Sequence, residues 1–429
     1  MQIKEINETE FDNFANHHIL RNYYQTSQYG NLMKKFGYTP IYIAMFEENE
    51  IVGAALILSK YIAINVKYGY SPRGFLIDYQ NDYYLKEFTK LIKKYFFRKG
   101  FAFIKINPEI TLSEVFPGTN TKNINETSKE LIGKLESLNY KKLKNNVYFE
   151  SLLPKYNPII NLKSFSEEKL SKNIKQKIKN KDKKGISLIK GDEYNLNQFY
   201  ELVKNKKDNS IEYYKNYFKI FNKDNMSDLW LLQIDYHEYL KNAQEEYNLL
   251  IDRNEQINKE FINDTKNKNL LKEKMDSDRK ITTLNQEITE INAYIQNDIF
   301  KQIVAAALVI KYQNRVNIVI SGFDKNTRFN PNHLLYTKLI EYYKNKNFSY
   351  LDLNGITGDF SSSNPYKGLN EFKLNFNPNI YEYIGEFDLI INQTVYSLLW
   401  TTKILHNEFD RKDIINNWNS NLTFLKFKK

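Results

Sequence analysis

The sequence predicts an α/β (α+β) protein made of two tandem copies of one unit, with an antiparallel coiled-coil hairpin inserted in the second. Three observations predict it. Ile51-Val52-Gly53-Ala54-Ala55-Leu56-Ile57-Leu58 reappears as Ile303-Val304-Ala305-Ala306-Ala307-Leu308-Val309-Ile310, and Phe101-Ala102-Phe103-Ile104-Lys105-Ile106-Asn107 is echoed by Phe348-Ser349-Tyr350-Leu351-Asp352-Leu353-Asn354 at nearly the same offset. Such self-similarity is most simply a repeated structural unit. Strand-like and helix-like patterns alternate within the first copy, the mark of a layered α/β domain. Finally, Leu229-Trp230-Leu231-Leu232-Gln233-Ile234 is separated from its partner strand by charged heptads, in a stretch with no proline between Pro158 and Pro331 and no glycine between Gly191 and Gly322.

Taken in order, a helical pattern around Glu8 to Phe14 opens the chain, and a short helix carries Leu32, Met33 and Phe36. Strands follow at Ile41 to Phe46 and Ile51 to Ser59, joined by the polar turn Glu47-Glu48-Asn49-Glu50. Ser71-Pro72-Arg73-Gly74 reads as a turn before Phe75-Leu76-Ile77. Leu85, Phe88, Leu91, Ile92 and Tyr95 have helical spacing, and Lys99-Gly100 closes that helix before the strand Ala102 to Ile106. In the insertion, Leu240, Ala243, Tyr247, Leu250, Ile257 and Phe261 form one seam, with Asn254 in a seam position. Asp264 to Asn269 breaks it, and Ile281, Leu284, Ile288, Ile291 and Ile295 resume it. A hairpin is favoured over a coiled-coil homodimer, because both ends must return to neighbouring strands. The expected division is 1–157 for the first unit, 158–236 with 300–391 for the second, and 237–299 for the arm, with 392–429 packing back on the first.

The net charge of +11 points to polyanionic partners or an anionic membrane surface, although heavy use of Lys, Asn, Ile and Tyr also fits a compositional bias. With no cysteine, disulfides, thiolate metal sites and a cysteine nucleophile are excluded. Met1 to Glu8 has no apolar core, and no apolar run reaches the ~18 residues that span a bilayer. A soluble, cytoplasmic protein is expected, free to touch the inner membrane face. His17, His18, His237, His333 and His406 lack metal-ligand spacing and read as structural. Neither a Walker loop nor G-x-G-x-x-G occurs, which argues against nucleotide hydrolysis and dinucleotide redox chemistry.

Several stretches can carry chemistry. Lys172 to Lys184 holds seven lysines, Lys172, Lys175, Lys177, Lys179, Lys181, Lys183 and Lys184, against the single carboxylate Asp182. Ile174 and Ile178 give one packing face, and the ammonium groups suit phosphate backbones; a merely solvated helix is the plainer alternative. Arg73 and Gly74 either shape a pocket wall or simply connect two elements. Asp78 ends an apolar run, a position suited to an amine or hydroxyl. Gly368-Leu369-Asn370-Glu371-Phe372-Lys373 follows the Ser-rich loop Ser361-Ser362-Ser363-Asn364-Pro365, so the Phe372-Lys373 pair could close over a ligand from a flexible loop.

Together, Tyr24-Gln25-Thr26, Ser71 to Tyr79, the lysine run before Gly185-Ile186, the arm, and Gly368 to Lys373 followed by Glu382-Tyr383-Ile384-Gly385-Glu386-Phe387 resemble the Fem family (FemABX) of non-ribosomal peptidyltransferases, over nearly the whole chain. The resemblance implies two fused acyl-CoA N-acyltransferase-like domains. It implies transfer of an amino acid from aminoacyl-tRNA to the stem-peptide side-chain amine of a lipid-linked peptidoglycan precursor, with no cofactor, and homologous bridge enzymes as further partners. By motif position it implies that Lys35 meets precursor phosphate, Asp78 lines a pocket, Tyr213 stands in the precursor groove, and Phe372-Lys373 lie beside the reacting centre. Arg73 and Gly368 join the substrate-binding set. Some relatives have an arginine where this chain has Asn209.

The chemistry fits the residues. Aminoacyl-tRNA is already an activated ester, so the enzyme need only hold an amine about 3 Å from the ester carbonyl and stabilise the oxyanion. Lys373 can supply the charge. The base can be Asp78, the precursor's carboxylates or the tRNA terminal hydroxyl. The contrasting function is a tRNA- or membrane-associated binding protein on the same fold. An ordinary acyl-CoA N-acyltransferase is disfavoured, since Phe323 to Arg328 has no glycine-rich pyrophosphate loop.

Overall fold

A computed structural model describes residues 1–119, 121–144, 147–149, 152–178, 185–206, 209–327, 330–402 and 405. These form two sheets. In spatial order the first is β1 (Gln2–Glu5), β2 (Thr39–Glu47), β3 (Glu50–Ala63), β4 (Val66–Ser71), β5 (Phe101–Ile106), β16 (Phe387–Ile390) and β8 (Tyr140–Lys142). The second is β10 (Ile186–Gly191), β11 (Ser227–Asp235), β12 (Lys301–Tyr312), β13 (Arg315–Phe323), β14 (Tyr350–Asp352), β9 (Tyr156–Asn161), β15 (Asn379–Tyr383), β6 (Thr111–Phe116) and β7 (Thr121–Ile124).

The repeat is visible in the pairing. β2, β3 and β4 are antiparallel neighbours and β4 then pairs parallel with β5. β11, β12, β13 and β14 repeat that order of directions. The long helix of each copy, Asp82–Phe97 and Pro331–Asn345, lies between the two parallel strands in the chain. Asparagine, abundant in this sequence, starts many of the helices: the side chains of Asn7, Asn81, Asn125, Asn267 and Asn392 each accept a first-turn backbone N–H.

The two units interleave rather than meet at one cut. β16, from near the far end of the chain, fills the gap between β5 and β8 in the first sheet. A buried ion pair secures it, Lys105 Nζ to Asp388 Oδ1 at 2.7 Å, and Tyr396 Oη donates to the other carboxylate oxygen. β6 and β7 cross the other way and extend the second sheet through β15. Between the sheets lies one apolar core with residues from both, among them Leu56, Phe103, Phe218, Leu231 and Leu308. Each outer face has its own core.

The insertion leaves where β11 pairs with β12, at Asp235 and Lys301. Asp235 caps the helix Tyr236–Asn263, and Asn267 caps the returning helix Lys268–Gln296. They run antiparallel, as Tyr236 stacks on Tyr294, Tyr239 bonds Glu287, and Arg253 pairs with Glu273. Asn254 is buried in the seam and donates to Ser277 and Asp278.

Candidate active site

The two halves enclose a narrow polar cleft lined by Tyr24, Arg73, Glu109, Asn157, Arg315, Asp352 and Asn354, among others. Its first wall is built from Gln25 outward. Gln25 is fully buried, accepts the Leu56 N–H and donates to Ser71 and Pro72, which fixes the Ser71-Pro72 turn. Arg73 follows at φ +53°, a conformation unusual for a side chain this large. Asn107 holds it by accepting its N–H at 2.9 Å. The guanidinium of Arg73 then lies 4.7 Å from the Tyr383 ring and donates to the Pro154 carbonyl. Arg73 therefore shapes a wall rather than merely joining elements.

Arg315 bridges the halves. It pairs with Glu109 from the first and Asp352 from the second, while Tyr383 and Asn22 also donate to Glu109. Burial opposes the Arg315 charge, but the two carboxylates hold its pKa well above the usual range. Among the described residues, three buried polar atoms in this cluster find no hydrogen-bond partner: Arg73 Nε, Arg315 Nε and Asn157 Oδ1.

Lys373 stands next to the cleft. It is only 6% exposed, and its ammonium donates to the carbonyls of Asn354, at 3.2 Å, and Gly355, at 2.7 Å. The flexible loop expected before it is instead tied down. Lys373 lies on the helix Lys367–Leu374, and the buried amides of Asn364 and Asn370 bind the 357–359 turn. Phe372, one residue earlier, points another way around the helix. Its ring packs on His333 and Tyr336, against the outer core of the second half. Gly368, on the same helix, faces open space.

The remaining expected residues fall into three places. Asp78 is exposed, its carboxylate accepting the Gln80 N–H, and is not in the cleft; Glu109 and Asp352 are the carboxylates found there. Lys35 ends the helix Ser27–Lys34 and lines a groove of about 720 Å³ with Lys34 and Lys223. Phe36, its neighbour, lies 5.1 Å from the Tyr213 ring, and Tyr213 itself does not line that groove. Asn209 is buried and donates to Tyr214. Lys172, Lys175 and Lys177 lie on the helix Lys172–Ile178, anchored by Ile174 and Ile178. Lys179, Lys181, Lys183 and Lys184 lie outside the described residues, as does His406. Burial lowers the pKa of His18 and of His333 to about 4, so both are neutral near pH 7. Among the described residues there is no cluster of three or more metal-ligating His, Asp or Glu side chains, and no helix long and apolar enough to cross a membrane.

Glu109, Asn157, Arg315 and Asp352 were not singled out from the sequence. The repeat itself held the signal. Asn107 and Asn354, its last aligned pair, follow equivalent strands, and Glu109 and Asp352 stand within two residues of them.

The two interleaved halves, each a copy of one α/β unit, enclose the polar cleft between them. The FemAB family model matches residues 6–403, and the chain belongs to the FemAB family. It is 25% identical to an aminoacyltransferase FemA of Staphylococcus epidermidis over 353 residues, 78% of this chain and 83% of that one. It is 24% identical to a lipid II:glycine glycyltransferase of Staphylococcus aureus over 400 residues, 87% of this chain and 89% of that one. The crystal structure of FemX superposes with a TM-score of 0.73 at 21% identity, over 93% of this chain and all of that one, and so shares the fold.

Proposed function

We propose that this enzyme transfers an amino acid from aminoacyl-tRNA to the stem-peptide side-chain amine of a lipid-linked peptidoglycan precursor, forming the interpeptide bridge. The observation that carries this reading is the likeness, over most of both chains, to proteins named for aminoacyl transfer and for glycyl transfer to lipid II. The cleft suits the reaction. Arg73 Nε and Arg315 Nε offer donors for a carbonyl oxygen, and Asn157 Oδ1 offers an acceptor for an amine. Lys373, held beside Asn354, supplies fixed positive charge in a poorly hydrated setting, where it stabilises an oxyanion most effectively.

In this reading no cofactor takes part, because the ester is already activated. Asp78 stands outside the cleft, and Glu109 and Asp352 are engaged by Arg315. The amine proton therefore passes to a carboxylate of the precursor or to the tRNA terminal hydroxyl. The tRNA follows the lysine run that begins on the helix Lys172–Ile178, and the precursor's phosphates meet Lys35. The test is to incubate the protein with lipid-linked precursor and mixed aminoacyl-tRNAs and weigh the product by mass spectrometry. One added aminoacyl residue, dependent on both substrates, is expected. An unchanged precursor mass sinks the proposal.

A further inference from the structure

The turn between β3 and β4 breaks the usual chemistry of a strand pair. Ala63 pairs with Val66, leaving Ile64-Asn65 as a two-residue tip. Such tips favour Gly, Asn or Asp, which tolerate positive φ; Asn65 fits that preference at φ +59°. Ile64 does not, and it is 81% exposed. An isoleucine so placed contributes almost nothing to folding and exposes apolar surface to water.

Ile64 has company. Tyr61 on the same hairpin and Phe97 at the end of the helix Asp82–Phe97 are each 57% exposed. The two segments are neighbours: Lys67 N–H donates to the Gly100 carbonyl, and Lys67 pairs with Phe101 across β4 and β5. A cationic rim surrounds this apolar tip. Lys67 lies 5.1 Å from the Tyr61 ring, Lys60 lies 4.8 Å from the Tyr38 ring, and Lys94 and Arg98 are exposed beside Phe97. The nearby carboxylate of Glu5 is engaged by Lys99 and Tyr95. Lys35 lies close to this edge in the chain, since β2 begins at Thr39, opposite Ser59, only a few residues after it.

We infer that this edge docks on an anionic lipid bilayer, with Tyr61, Ile64 and Phe97 entering the interfacial region and Lys60, Lys67, Lys94 and Arg98 meeting the headgroups. Apolar and aromatic side chains ringed by cations are what such a surface binds, each supplying a share that neither provides alone. Charge complementarity selects the bilayer over a second copy of this chain, whose matching edge would bring like charges together. The surface is read from its own side chains; its use in catalysis rests on the proposed acceptor.

The experiment is co-sedimentation of the full chain with vesicles of phosphatidylcholine alone or mixed with phosphatidylglycerol. Binding to the mixed vesicles, weakening as salt rises, is expected. Ile64→Ser with Phe97→Ser should lower the partition coefficient about tenfold or more, from the lost apolar burial. Both positions are exposed, so the melting temperature should hold. Absence of binding to mixed vesicles overturns the inference. So does equal binding by the double variant, or a variant that changes only the oligomeric state in vesicle-free solution. A wild-type protein that binds vesicles but transfers nothing to vesicle-borne precursor supports the surface and removes the proposed acceptor.

Discussion

Lys373 and Glu382 show how one side chain can be committed by its neighbours. The Lys373 ammonium is buried against two carbonyls, so Lys373→Met removes a charge and strands two acceptors. The expected stability cost is about 1–3 kcal/mol, and the expected loss of transfer rate about 10²–10³-fold. A melting curve beside a radiolabelled transfer assay separates the two effects. A folded variant with near-wild-type turnover would rule out a charge role for Lys373. Glu382 is a stitch in the second sheet. Burial alone would raise its pKa, but the Lys155 ammonium, with hydrogen bonds from Lys122, Lys155 and Ser113, lowers it from 4.5 to about 2. A carboxylate depressed in this way stabilises the fold fully above its unfolded pKa. That contribution is lost as pH falls from about 4.5 towards about 2. Glu382→Gln should therefore lower the melting temperature at pH 7 and flatten its decline in acid. A variant whose acid profile parallels the wild type contradicts the account.

Among the elements, the arm is the most separable, but not from its base. Tyr236, Tyr239, Ala243, Leu284 and Ile291 are buried in the outer core of the second half, so removing the whole insertion would open that core. Replacing Asn248 to Lys280 with a short Gly/Ser turn spares all five. This variant should keep a cooperative thermal transition close to the wild type while losing helical circular dichroism signal. Loss of the transition would show that the distal arm supports the fold. The elements legible in the sequence were those that impose their own pattern: the long apolar strands of the repeat, the amphipathic helices and the arm's seam, including Asn254. β7 and β8 were not legible. They are four and three residues long, and all of β7 is exposed, so pairing rather than composition makes them strands. The candidate site was legible in the Ser71-Pro72-Arg73-Gly74 turn and at Lys373. It was not legible at Glu109 and Arg315, which lie 206 residues apart and become partners only once the halves close.

The whole molecule behaves, by this architecture, as one cooperative body. The central core takes residues from both sheets, and each sheet borrows strands from the other half of the chain. A fragment of residues 1–157 would lack β16, leaving β8 without its strand partner and the Lys105 ammonium buried without Asp388. Removing one member of a buried pair is strongly destabilising, by about 3–5 kcal/mol. The fragment should not fold, and the intact chain should show a single calorimetric transition. Two resolved transitions, or a folded 1–157 fragment, would overturn this view.

The borrowed β16 also sets a schedule. On the ribosome, Tyr140–Lys142 emerges long before Phe387–Ile390, which must slot between it and β5. At ordinary elongation speeds of ~5–20 residues per second, the interval is roughly 10–50 s. Throughout it β5 is without that partner, and its unpaired backbone would accept any passing strand. Lys105, on that unfinished edge, is a charged gatekeeper against such pairing until Asp388 arrives to neutralise it.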